Sequence, residues 1–382
     1  MNARERVLTA LRGGEPDRVP CALGFFPQPL FGAADADEYF GTDVRFVDFA
    51  PPPGQDAFLD YLESLPRGVH VGSTAQLRTY HEWDYHPERP GSDDAAAAAG
   101  PRGIADRIAR LLPRVTDRQR HAHLKEAVER LHARGLAVAG SPPHLGGELF
   151  ESAWRMRGFE LFMKDLVKRP ELVDYLLDQL EMMASESARI LAAAGVDVLV
   201  LDDDVAYKDG LLISPAMWRR HFKPRMARII AAARQAAAQG AAAPPTATRD
   251  ASLTEPASAA PAPVPVSLAP AAPAVLYHCD GDFSRLLGDL VEIGVDAVNP
   301  VAPDCMDAAA IRSTFGALPA LWGTVGTAWS WDCGSPAQMR EEVRTRIEGL
   351  GKGGLLLCPA YDLDYSPREN VTAFVEAVRE FG

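Results

Sequence analysis

Val196-Asp-Val-Leu-Val-Leu201 runs directly into Asp202-Asp203-Asp204, and Ser214-Pro215 then opens an amphipathic segment that reaches Arg234. The apolar run is strand-sized and has the composition of a strand buried on both faces. Ser as N-cap and Pro at the first helical position form a helix-start signal, so the stretch reads strand, loop, helix. Four more apolar runs repeat the theme at residues 274–277, 297–299, 320–322 and 354–357, each followed by a helical pattern near 283–293, 307–314, 335–350 and 367–380. Upstream, residues 19–23, 45–49 and 136–139 read as strands, and 159–166 and 171–194 as helices. Eight strands alternating with helices predict an α/β chain folded as a single (β/α)₈ TIM barrel. The alternative is a doubly wound open sheet, whose dinucleotide-binding form needs Gly-x-Gly-x-x-Gly after an early strand. Gly146-Gly147 does not supply that spacing, and the chain has no Gly-x-x-x-x-Gly-Lys-Ser/Thr loop for nucleotide phosphates.

Residues 236–273 form a tract of Ala, Pro, Ser and Thr without aromatics, which buries too little surface to offset its ordering entropy. It is predicted to be a flexible insertion within one barrel domain spanning 1–382, and the Ala/Gly-rich stretch 91–103 to be a shorter surface loop. The net charge of −13 argues against broad contact with nucleic acid or an anionic membrane, leaving small molecules as the expected ligands. No apolar stretch approaches the roughly 20 residues of a membrane span. The N-terminal Met-Asn-Ala-Arg-Glu-Arg-Val-Leu lacks the apolar region of a secretory signal. Five scattered cysteines form no disulfide framework, so a reducing, cytoplasmic setting is expected.

In such a barrel the chemistry sits just after each strand. Those positions hold Asp202, Asp203 and Asp204, then His278-Cys279-Asp280-Gly281, Asn299-Pro300, Trp322-Gly323-Thr324 and Cys358-Pro359-Ala360-Tyr361. His144 and Glu148 follow the third strand, and Tyr207 follows the fourth. Each also has a plainer reading: the acids as caps or a solvated loop, the histidines and Cys358 as packing groups, and the tyrosines as rim residues.

Several of these segments resemble the uroporphyrinogen decarboxylase superfamily. They are Arg4-Glu-Arg-Val-Leu-Thr-Ala-Leu11, Pro16-Asp-Arg-Val-Pro20, Arg157-Gly-Phe-Glu160, Asp202-Asp203, Leu211-Leu-Ile-Ser-Pro215, His278-x-Asp-Gly281, Glu292-Ile-Gly-Val-Asp-Ala-Val-Asn-Pro300 and Pro367-Arg-Glu-Asn370. The resemblance implies one of two chemistries: decarboxylation of a tetrapyrrole, or zinc-dependent methyl transfer between corrinoids and thiols. True decarboxylases carry an N-terminal Arg-Gln-Ala-Gly-Arg segment for substrate carboxylates, where this chain has Leu23-Gly-Phe-Phe-Pro-Gln28. Carboxylates desolvated without such partners are costly, so the chain resembles the methyltransferase branch more closely. The methyltransferases hold zinc on a His-x-Cys after the fifth strand and a Cys after the eighth. Here that implies His278, Asp280 and Cys358 as metal ligands, with Cys279 facing away. Asp202, Asp203 and His278 are then the expected catalytic groups, and His144, Glu148, Asp204, Tyr207, Asn299 and Tyr361 the expected substrate-binding groups. A corrinoid, free or carried on a partner protein, completes the implied picture; the sequence leaves the oligomeric state open, with a homodimer as one option. A tetrapyrrole-binding barrel without catalysis is the third alternative.

Overall fold

A computed structural model describes residues 1–26, 30–32, 35–50, 115–144, 146–242, 272–326, 328–361 and 363–382. Seven strands form one sheet in the order β1 (Val44–Val47), β2 (Ala137–Gly140), β3 (Val198–Asp202), β6 (Ala274–His278), β7 (Ala297–Asn299), β8 (Ala320–Val325) and β9 (Leu355–Pro359). Every neighbouring pair is parallel. A two-stranded antiparallel hairpin, β4 (Ala206–Tyr207) with β5 (Gly210–Leu211), stands just beyond β3.

The sheet curls until its two edges meet across the first expected strand. The Ala22 amide donates to the Leu357 carbonyl, the Leu357 amide to that of Pro20, and the Asp43 amide to that of Cys21. This segment is an eighth stave with a single bridge, Cys21 to Leu357, and it lacks a full ladder partly because Pro20 has no N–H to offer. Barrel architecture follows from this closure.

Side chains alternate across the pleat with a period of two. Val198, Val200, Ala274, Leu276, Ala297, Ala320, Trp322, Leu356 and Cys358 fill the interior, whereas Leu199, Leu201, Val275, Tyr277, Val298, Leu321 and Leu357 face the helical layer. The helix Ala3–Leu11 lays Val7 and Leu11 against the interior cluster and donates the Arg4 amide to the Gly135 carbonyl, just ahead of β2. It therefore closes the end of the barrel opposite the strand C-termini.

Ser214 accepts the Met217 amide as N-cap, with Pro215 in the first turn, as the sequence predicts. The helical run that follows is two helices, Pro215–His221 and Lys223–Ala242. The second corrects the bounds expected for the insertion: residues 236–242 are helical, because alanine is the strongest helix former and the prolines begin only at Pro244. The rest of the tract from 243 to 271, and the stretch 91–103, lie outside the described residues. No described helix is long and apolar enough to cross a membrane.

Candidate metal and active site

Asp202, His278 and Asn299 form one row across three strands, since Asp202 pairs with His278 and His278 pairs with Asn299. They share the parity of Val200, Leu276 and Ala297, so the row points into the barrel at its C-terminal mouth. His278 and Asp202 are each more than nine-tenths buried.

Both ring nitrogens of His278 have defined surroundings. Nδ1 is hydrogen-bonded to Asn299 Oδ1, and Asn299 Nδ2 donates to the Trp322 carbonyl at 2.7 Å. The ring stacks on Phe25, with centroids 3.7 Å apart and planes 18° from parallel. Nε2 faces three carboxylates: Asp280 Oδ1 at 3.6 Å, Asp204 Oδ1 at 3.9 Å and Asp202 Oδ1 at 4.0 Å. These distances are too long for hydrogen bonds. Metal–ligand bonds of about 2.1 Å at a tetrahedral angle place donor atoms roughly 3.4 Å apart, so the side chains would have to draw together around a cation. One donor atom from each of Asp202, Asp204 and His278 lies within 4.8 Å of the others, the one such grouping among the described residues.

The electrostatics point the same way. Asp202 Oδ1 is buried and has no hydrogen-bond partner. Burial first, and then repulsion from Asp204, Glu148, Glu151 and Asp280, hold the Asp202 carboxyl well above the usual range. Burial and Asp280 push Asp204 up to about 6, although its Oδ1 accepts the Asp280 amide at 2.6 Å. Burial and Asp203 raise Glu148 in turn. The nearby cation Arg155 is turned to Glu151, with Nε at 2.9 Å. Carboxylates gathered out of water in this way must take up protons or a cation.

The remaining candidates divide by position. Glu148 stays at the site but is tied to the backbone: its Oε2 accepts the Asp202 amide at 2.6 Å, and its own amide donates to the Asp202 carbonyl. The tie requires Gly147, since a Cβ there would sit 2.8 Å from Asp203 Cα. His144 is close enough for His278 to lower its pKa; burial leads, and the pKa is pushed down to about 3, so the ring is neutral and its buried Nδ1 has no partner. Asp203, expected to be catalytic, is turned to the other face of the sheet. Its Oδ1 accepts the Phe150 and Glu151 amides and so satisfies the start of the helix Phe150–Arg157.

Cys358, expected as a ligand, does not join His278. It points into the barrel from β9, where it is fully buried among Trp322, Ala22 and other interior groups with its thiol pKa raised by burial, and it is not in the one donor grouping among the described residues. Of the expected His278, Asp280 and Cys358 set, the structure brings His278 and Asp280 together, beside Asp202 and Asp204, and leaves Cys358 out of the grouping. Cys279 packs in the outer layer, as its parity implies. Tyr207 is half exposed on the hairpin, and only its backbone carbonyl engages the loop after β6, through the Asp282 amide. The Tyr361 hydroxyl is hydrogen-bonded to Asp304. Phe25 and Arg155 were not anticipated as site residues. Phe25 lies in the segment that was read only for its missing arginines.

Comparison with known proteins places this geometry in context. A family described as Uroporphyrinogen decarboxylase (URO-D) matches residues 98–381. No curated protein sequence matches the chain. Among solved structures, a methyltransferase from Methanosarcina mazei is similar over 100% of this chain and 99% of its own, with a TM-score of 0.62 and 18% sequence identity. At that identity the likeness is one of fold.

Proposed function

This chain belongs to the uroporphyrinogen decarboxylase family, and from that premise we propose that it is a metal-assisted methyltransferase whose divalent cation is held by His278 Nε2, Asp202 and Asp204. The observation that carries the reading is the buried Asp202 Oδ1, without a hydrogen-bond partner among the described residues, facing His278 Nε2 at 4.0 Å. The zinc set implied by the family resemblance is not the one the described residues bring together, because Cys358 lies outside the grouping of His278, Asp202 and Asp204 and burial holds its thiol protonated. One imidazole with two carboxylates does fit zinc or a similar first-row cation. Such a cation supplies a Lewis acid that lowers the pKa of a coordinated thiol. The acceptor is read as a thiol and the methyl donor as a corrinoid, carried by a partner protein in a cytoplasmic pathway.

The residues of the chain have separate duties in this scheme. Asn299 orients the imidazole, and Phe25 covers one of its faces. Glu148 holds the end of β3 through the Asp202 amide. His144, neutral at ordinary pH, adds no positive charge to compete with a cation. The acidic mouth counts against a substrate rich in carboxylates, such as uroporphyrinogen, which would be repelled there.

The test is turnover. Zinc-loaded protein mixed with methylcobalamin and a small thiol should yield cob(I)alamin and the methyl thioether, followed by absorbance, and His278→Ala should abolish the reaction. Decarboxylation of uroporphyrinogen without methyl transfer would overturn the proposal.

A further inference from the structure

The hydrogen bonds around His278 have only one consistent direction. A backbone carbonyl can only accept, so the Asn299 atom at 2.7 Å from the Trp322 carbonyl is its NH₂ group. Asn299 Oδ1 therefore faces His278 Nδ1, and because an amide oxygen also only accepts, Nδ1 must carry hydrogen. The neutral ring then has its lone pair on Nε2, the nitrogen that faces Asp202 and Asp204. Trp322 contributes twice. Its carbonyl fixes Asn299, and its indole Nε1–H donates at 3.2 Å to the carbonyl of Gly24, the residue just before the Phe25 that stacks on the ring. Trp322 and Asn299 are almost completely buried, so no solvent competes for these contacts.

We infer that Trp322, Asn299 and Phe25 form a clamp that locks His278 as the Nδ1–H tautomer and aims its Nε2 lone pair at the cation site. Asn299 is a positioning residue, acting through His278 in the way outer groups set the tautomer of a metal-binding histidine. The inference deepens the reading of His278 as a metal ligand, but the tautomer itself can be measured without metal.

The experiment uses the full chain, stripped of metal and labelled with ¹⁵N in its nine histidines. The His278 resonance is assigned by its loss in His278→Gln. Expected is a protonated Nδ1 in the wild type, a shift toward the Nε2–H form in Asn299→Ala, and return of the Nδ1–H form in Asn299→Asp, which restores an acceptor. Titrated with zinc, Asn299→Ala should bind about 10–100-fold more weakly. Phe25→Leu, which spares the hydrogen bonds, should keep the tautomer and weaken zinc binding less. A wild-type ring protonated on Nε2, or an Asn299→Ala protein with unchanged tautomer and zinc affinity, would overturn the clamp. A wild type that shows the Nδ1–H tautomer but binds no zinc overturns the metal reading and leaves the clamp standing.

Discussion

Asp202 and Asp203 are adjacent in sequence and opposite in setting, and the pleat of β3 is the cause: one points into the barrel, and the other receives the amides of a helix. That parity was legible in the apolar run ahead of them, because Asp202 continues the set of Val198 and Val200. The place of Cys358 after the eighth strand, three from His278, was legible too, but the sequence could not show that its side chain packs with Trp322 and Ala22 outside the donor grouping. The clustered acids make the metal-free protein sensitive to pH. Asp203 at about 7 and Asp204 at about 6 lie above the ordinary 3.8, so between these values the native state binds more protons than the unfolded chain, and stability falls as pH rises. His144, pushed down to about 3 from 6.5, opposes this over its own window, where the native state binds fewer protons. The carboxyls outnumber it, with Asp202 and Glu148 raised as well. In chelator, Tm should therefore decline from about pH 5 to about pH 8, and saturating zinc should flatten the profile in scanning fluorimetry. By the same logic, Asp202→Asn should raise the metal-free Tm at pH 8 by roughly 1–2 °C, for a relief of about 1 kcal/mol, while losing zinc.

Helix starts were the most readable elements, because their chemistry is local. Ser214-Pro215 and Ser335-Pro336 each cap a helix, and both serines accept an amide from the first turn. Ser214→Ala should cost about 1 kcal/mol in denaturant unfolding. Harder to read were elements decided by competition between neighbours. The Ala/Pro tract begins as helix because alanines carry Lys223–Ala242 forward until the prolines intervene, and Pro20 reduces the first stave to one bridge. The loop after β6 depends on Gly281, whose φ is +84° and whose place a Cβ would occupy only 2.4 Å from the Tyr207 carbonyl group. Gly281→Ala should destabilise the fold by about 3 kcal/mol and, by pushing the hairpin from Asp280, weaken zinc binding. Calorimetry and a zinc titration on the same variant would check both effects.

At the scale of the whole molecule, the eight-stave count was legible from alternating apolar runs, but the closure that turns the staves into a barrel was not. It rests on a few hydrogen bonds across residues 20–22, and no local pattern announces them. Ala22→Pro removes the amide that donates to Leu357, so it should lower stability by about 3 kcal/mol. Chemical denaturation followed by tryptophan fluorescence would report that loss, since Trp322 packs in the interior beside Ala22. Closure also brings Phe25 over His278, joining the first stave to the candidate metal site. The central claim is that the family barrel here holds its cation on His278, Asp202 and Asp204 and not on Cys358. Isothermal titration of chelator-stripped protein with zinc tests this most directly. The account predicts about one equivalent bound by the wild type and by Cys358→Ala alike, with binding lost in His278→Ala and Asp202→Asn. Loss of zinc in Cys358→Ala, with retention in Asp202→Asn, would contradict it.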